Sequence, residues 1–177
     1  MSILKFLGLK KAETEKSPAG DTETVREIVS KLDQLEPEQA KYIASFAYLL
    51  GRVANADLDI SEEETRVMEK LVMEQGKIPE AQALLVVQMA KTHAQLFGGT
   101  ENFLVTREFS QLASRDQKFA LLRCLFAVSA ADQSISTVED NEVRQIASEL
   151  QLDHEDYTAI KAEYRDYLAV LKKPGPP

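Results

Sequence analysis

Apolar residues recur along this chain at the spacing of amphipathic helices. In the first such segment Val25, Ile28, Val29 and Leu32 fall at positions i, i+3, i+4 and i+7 of one helix face. The later segments repeat this spacing between capping residues, prolines and glycines, and none alternates strictly as a half-buried strand does. The pattern predicts an all-α single domain of about seven to eight helices, at approximately residues 22–35, 37–54, 61–75, 79–97, 101–113, 115–131, from 136 onward, and 154–171.

Two of the predicted helices, the second and the sixth, are apolar on most sides. Neither is long enough to span a bilayer, which needs about 20 apolar residues. A helix of this kind is normally surrounded by other helices, so we expect the two to form the buried centre. Small residues on both would let their backbones approach closely: Ala47, Gly51 and Ala54 against Ala127, Ala130 and Ala131.

One supersecondary unit occurs twice. Residues 53–64 align without gaps on residues 128–139, at an offset of 75, with the shared pattern V-x-x-A-D-x-x-I-S-x-x-E. The apolar positions of the flanking helices repeat as well, since Leu50 falls on Leu125 and Met68 on Val143. The sequence therefore predicts two helix–acidic turn–helix units, each covering the core of the other.

Each acidic turn has two interpretations. Ser61 with Glu64, and Ser136 with Glu139, fit the capping box, in which Ser and Glu satisfy backbone N–H groups at a helix start. The alternative is a divalent cation site, because Ca²⁺ and Mg²⁺ take oxygen ligands at comparable spacings. The match to an EF-hand loop is poor, as the turns lack its glycine and the glutamate comes too early. The candidate ligands are Asp57, Asp59 and Glu64 in the first turn, and Asp132, Ser134 and Glu139 in the second.

At these residues the chain resembles the tellurite-resistance protein TerB family, which is related to the N-terminal module of a DnaJ-like co-chaperone. The family motif, Ala-Asp-Gly-x-Ile-Ser-x-x-Glu, begins here at Ala56 and at Ala131, with Leu58 and Gln133 replacing the usual glycine. The resemblance covers roughly residues 22–170. It implies an all-helical domain, association of the acidic turns with divalent metal ions, and a non-catalytic role in a stress-response or membrane-linked assembly.

Charge and composition limit the classes of molecule that this chain is expected to bind. The net charge is −8, and because residues 1–20 contribute +2, the remainder carries −10. Such a body repels phosphate backbones, so we expect no nucleic-acid binding and favour cations and proteins, whose identity the sequence does not give. His93 and His154 lie on different helices, and no nucleophile or phosphate-binding motif is present, so we expect no enzymatic activity.

The chain ends have a different composition from the body. Residues 1–20 predict a flexible amphipathic and basic tail, residues 21–171 the helical domain, and residues 172–177 a disordered proline-rich tail. Residues 1–11 combine apolar side chains with Lys5, Lys10 and Lys11, which suits weak contact with an anionic membrane surface or a partner groove as well as a disordered tail. Without an export signal or a membrane span, we expect a cytoplasmic protein, peripheral to the membrane at most.

Two further groups of residues predict packing. Cys124 is the only cysteine and stands in an apolar segment, which favours a buried, inert thiol. On the last helix Tyr157, Tyr164 and Tyr167 form a stripe of the kind that usually faces the core.

Overall fold

The computed structural model describes residues 19–54, 62–91, 102–132 and 135–168. In these segments the chain is all-α, as predicted, and no strand occurs in them. We number the described α-helices α1 Ala19–Asp33, α2 Pro37–Ala54, α3 Glu62–Glu74, α4 Glu80–Lys91, α5 Asn102–Leu112, α6 Arg115–Ser129, α7 Thr137–Glu149 and α8 His154–Ala162. Two short 3-10 helices, Ala130–Asp132 and Arg165–Tyr167, follow α6 and α8.

The last helix is shorter than predicted. The sequence pattern extends it to Leu171, but α8 ends at Ala162 and the chain turns through Arg165–Tyr167. Beyond this turn Leu168 is buried and forms an isolated bridge with Ile135, whose backbone N–H donates to the carbonyl of Tyr167 at 2.6 Å. A continuing helix would not bring Leu168 to Ile135, so the tertiary contact overrides the helical periodicity.

The two apolar helices are central, as expected. Leu50 on α2 and Leu125 on α6 have no exposed surface, and α2 and α6 contact each other. Helix α2 also packs against α4, α5 and α7, and α6 against α3, α7 and α8. Ala131 is exposed in the 3-10 turn, so its expected place in the contact between α2 and α6 is wrong.

The bounds of the helices fit the sequence repeat. Helix α2 ends at Ala54 and α6 at Ser129, 75 positions later. Helices α3 and α7 each contain 13 residues and start and end at the same offset. The contacts between units are reciprocal as well, because α2 touches α7 and α6 touches α3. This is the pattern that an approximate twofold relation between the units produces.

The units differ in the turn after their second helix. The N–H of Ile78 donates to the carbonyl of Val72 at 3.4 Å, and the N–H of Leu152 donates to the carbonyl of Ala147 at 3.0 Å. The first turn is therefore one residue longer. A Cβ on Gly76 would lie 2.6 Å from the Val72 carbonyl oxygen and 2.8 Å from the Phe46 ring, so this close approach requires glycine.

Candidate cation site at the acidic turns

The structure describes the two acidic turns unequally. Asp57 and Asp59 lie outside the described residues, and so does Ser134 in the second turn. Glu64 lies in α3 and Asp132 ends a 3-10 helix, but the described residues do not include their side chains. Of the six predicted ligands, Glu139 is therefore the one whose side chain the structure describes.

Glu139 belongs to a complete capping box at the start of α7. The Ser136 hydroxyl accepts a hydrogen bond from the N–H of Glu139 at 3.1 Å, and Oε2 of Glu139 accepts one from the N–H of Ser136 at 2.8 Å. Ser136 has the extended backbone typical of an N-cap residue. The capping interpretation of this turn is thus confirmed, whereas Ser61 of the first turn lies outside the described residues.

The acidic residue after Glu139 has another partner. Asp140 accepts a bond from Lys161 Nζ at 2.7 Å through Oδ2, and its Oδ1 accepts one from the Tyr157 hydroxyl. Burial, and then the adjacent Asp140 carboxylate, raise the pKa of Tyr157 well above its usual range. Both acceptor oxygens are therefore directed to α8, and Asp140 ties the start of α7 to that helix.

An arginine that the sequence analysis did not single out connects the two units. Arg52 lies near the end of α2, and its side chain is only 6% exposed. Its Nε donates to Glu142 Oε1 at 2.7 Å and its Nη1 to Glu149 Oε2, also at 2.7 Å. The hydroxyl of Thr106, on α5, donates to the same Glu149 oxygen at 2.9 Å. The two ion pairs thus link α2 to α7, and the Thr106 hydrogen bond links α5 to α7.

The electrostatics of this cluster follow from its burial. Burial alone would raise the pKa of Glu149, but the bonds from Arg52 and Thr106 outweigh it and lower that pKa. Burial similarly opposes the charged guanidinium, yet the bond to Glu149 and the charge of Glu142 raise the pKa of Arg52 overall. The Arg52 guanidinium and the Glu149 carboxylate are therefore both charged, as a buried charged group requires a partner. A single charged residue, Arg52, in the otherwise apolar stretch from Tyr42 to Ala54 was the sequence signal for such a pair.

This link also brings together the described ends of the two acidic turns. Arg52 lies two residues before the end of α2, where the first turn begins. Glu142 lies three residues after Glu139, less than one helical turn further along α7. Their ion pair therefore holds the start of the first acidic turn near the end of the second.

Other residues in the described segments have structural roles. Among these residues no group of three histidine, cysteine, aspartate or glutamate side chains is placed to hold a metal ion. Cys124 is buried, and burial raises the pKa of its thiol to about 12. Tyr157 is buried, and the Tyr164 ring stacks on Phe126 with centroids 5.6 Å apart. Tyr167 is 36% exposed, so the tyrosine stripe faces the core only in part.

No helix within the described segments has both the length and the apolar character needed to cross a membrane. The comparison with curated proteins gives no match, and neither does the comparison with solved structures. A family model described as "Tellurite resistance protein TerB" matches residues 43–162, which include α2 from Ile43 onward, all of α6 and both acidic turns. The chain belongs to the TerB family.

Proposed function

We propose that this chain is a non-enzymatic helical module that binds a divalent cation, Ca²⁺ or Mg²⁺, through its two acidic turns. Asp57, Asp59 and Glu64 would supply oxygen ligands from the first turn, and Asp132, Ser134 and Glu139 from the second. Carboxylate and hydroxyl oxygens are the donors that these hard cations prefer. By its family, the module works in a stress-response or membrane-linked assembly with protein partners.

The ion pair between Arg52 and Glu142 is the observation that carries this proposal. It holds the end of α2 beside the first turns of α7, with Nε and Oε1 2.7 Å apart. Ligands from two turns can serve one ion only if a rigid element fixes the distance between the turns. A buried, doubly paired guanidinium provides such an element.

The chemistry at Glu139 is compatible with both capping and coordination. Its Oε2 accepts the bond from the Ser136 N–H, while a carboxylate has two oxygens and about four lone-pair sites. The remaining oxygen can take part in coordination without loss of the cap. A bound cation would also reduce the repulsion between the crowded carboxylates of the turns.

A second function, that of a protein-interaction adaptor without a metal site, is favoured by a different observation. The capping box of α7 is complete, because the side chains of Ser136 and Glu139 each accept a hydrogen bond from the other's backbone N–H. Capping by itself explains why Ser136 and Glu139 occupy this turn. The acidic turns would then be capped helix starts, and the surface of the module would carry the function.

Thermal melts with and without millimolar Ca²⁺, Mg²⁺, Mn²⁺ or Zn²⁺ distinguish these two functions. A cation that binds only the native state raises its stability by RT ln(1 + [L]/Kd), about 2.7 kcal/mol at a concentration 100 times Kd. We expect Ca²⁺ or Mg²⁺ to raise the melting temperature of the native chain. In a variant carrying Asp57→Asn, Asp59→Asn and Asp132→Asn, this increase should largely disappear.

Ser136→Ala is the matched control, because it removes the cap and leaves every carboxylate in place. Loss of a helix cap costs about 0.5–2 kcal/mol, and here it should do so with or without the cation. If no divalent ion at millimolar concentration raises the melting temperature of the unmodified chain, the cation site is wrong and the adaptor function stands.

A further inference from the structure

The end of the molecule away from the acidic turns contains an open groove of about 510 Å³. It lies between the start of α2, the turn before α4, the end of α5 and the start of α6. Gly76, in the longer turn of the first unit, contributes to its wall. Its apolar lining consists of Tyr42, Ile43, Ile78, Pro79, Leu112 and Ala120.

The rim of this groove has a negative charge balance. Glu38 in the first turn of α2 and Asp116 in the first turn of α6 line it, against one basic residue, Lys77. Glu38 and Asp116 are exposed, and no described contact pairs either carboxylate. The groove therefore suits a segment that has apolar side chains and an excess of positive charge.

We propose that residues 1–11 of this chain occupy the groove. This segment contains the apolar side chains of Ile3, Leu4, Phe6, Leu7 and Leu9 together with Lys5, Lys10 and Lys11, and it has no acidic residue. The apolar side chains match the floor of the groove, and the lysines match Glu38 and Asp116 on its rim. The volume of the groove, about 510 Å³, lies within the roughly 300–1,000 Å³ of pockets that bury a drug-sized ligand.

The length of the intervening chain permits this contact. Helix α1 contains 15 residues and is therefore about 22 Å long. A short connection at residues 34–36 joins its end to α2, whose first turn lines the groove. Twelve residues, 7–18, precede α1 and can span up to about 40 Å when extended. The start of α1 lies one helix length away from the end that joins α2 and the groove. Residues 7–18 can span more than this length, so Phe6 can reach the groove.

A tryptophan at position 6 reports on this contact, because the native chain contains no tryptophan. In the full chain with Phe6→Trp, we expect indole emission at shorter wavelength than free tryptophan and acrylamide quenching reduced severalfold. Adding Glu38→Lys and Asp116→Lys should shift the emission to longer wavelength and restore quenching. Leu7→Trp provides a second reporter in case the larger ring at position 6 does not fit.

Glu155→Lys with Asp166→Lys is the matched control, since both residues are exposed and do not line the groove. This pair makes the same change in net charge and should leave the protected emission unchanged. Circular dichroism melts verify that every variant folds.

Three outcomes would overturn the proposal. Solvent-exposed emission from both reporters means that the segment does not dock. If the protection disappears on dilution, the segment docks in the groove of a second copy of the chain and not in its own. Protection that arises only with phosphatidylserine vesicles assigns the segment to a membrane surface. None of these outcomes depends on cation binding, so the proposal and the proposed function can fail separately.

Discussion

Arg52 shows how one residue can depend on a distant part of the chain. It occupies the only position of α2 between Tyr42 and Ala54 that carries a formal charge, and its partners Glu142 and Glu149 are 90 and 97 residues away. Burial makes this pairing consequential, because a charge left without a partner in the interior is strongly destabilising. The equivalent position of the second unit is Ala127, so the link exists in one copy only.

Replacing the arginine should therefore be costly. We expect Arg52→Met to lower the free energy of unfolding by about 3–5 kcal/mol, because Glu149 loses its buried counter-ion. Urea denaturation measures this loss. Arg123→Met removes a pair with Glu163 whose side chains are 40% and 48% exposed, and should cost at most about 1 kcal/mol. Equal effects of the two substitutions would show that the pairs of Arg52 add nothing beyond a surface contact.

Among the helices, α2 and α6 have a different energetic role from α7. Each helix of the central pair is apolar around most of its circumference. In α2, the side chains from Ala44 to Leu50 are fully buried or nearly so. Helix α7 buries only one face, while its capping box and the contacts of Asp140 fix its start. The stability of the domain should therefore respond most to changes in the central pair.

Truncation of a central side chain tests this difference. Leu125 is fully buried, so Leu125→Ala should lower the free energy of unfolding by about 2–5 kcal/mol through lost burial and the cavity left behind. Val138 in the first turn of α7 is 78% exposed, and Val138→Ala should stay within about 0.5 kcal/mol of the native chain. Both values come from urea denaturation. A near-neutral Leu125→Ala would contradict the central position of α6.

At the scale of the whole molecule, the segment after α8 connects the second acidic turn to the core. Tyr164 donates from its hydroxyl to the carbonyl of Arg123 at 3.1 Å, and Leu168 is 4% exposed beside Ile135. Ile135 directly precedes Ser136, the cap of α7. The end of the domain thus supports the turn that carries the candidate ligands.

Two shortened chains test the contribution of this segment. A chain that ends at Leu168 retains these contacts, whereas one that ends at Ala162 loses them. Burying one leucine is worth about 1.5–3 kcal/mol, and the stacked Tyr164 adds to it. We expect the shorter chain to be less stable by at least about 2 kcal/mol in urea denaturation. Equal stability of the two chains would mean that the helical core does not need residues 163–168.

Local pattern was enough to predict the all-α fold and the bounds of several helices. The 3.6-residue periodicity and the capping signals placed both bounds of α2, α3 and α6, and the start of α7, within a residue or two, because these signals act within one or two helical turns. The capping box of Ser136 and Glu139 is local in the same sense and was predictable for that reason. The family, too, was recognisable from the repeated motif.

Contacts between distant residues were decided by the tertiary structure. The pairing of Arg52 with Glu142 and Glu149 depends on how α2 lies against α7, which no local pattern encodes. The end of α8 at Ala162 has the same cause, since the helical spacing of the tyrosines continues while Leu168 is drawn to Ile135. Periodicity states which face of a segment is apolar, whereas packing determines which partner covers that face and where the chain must turn to reach it.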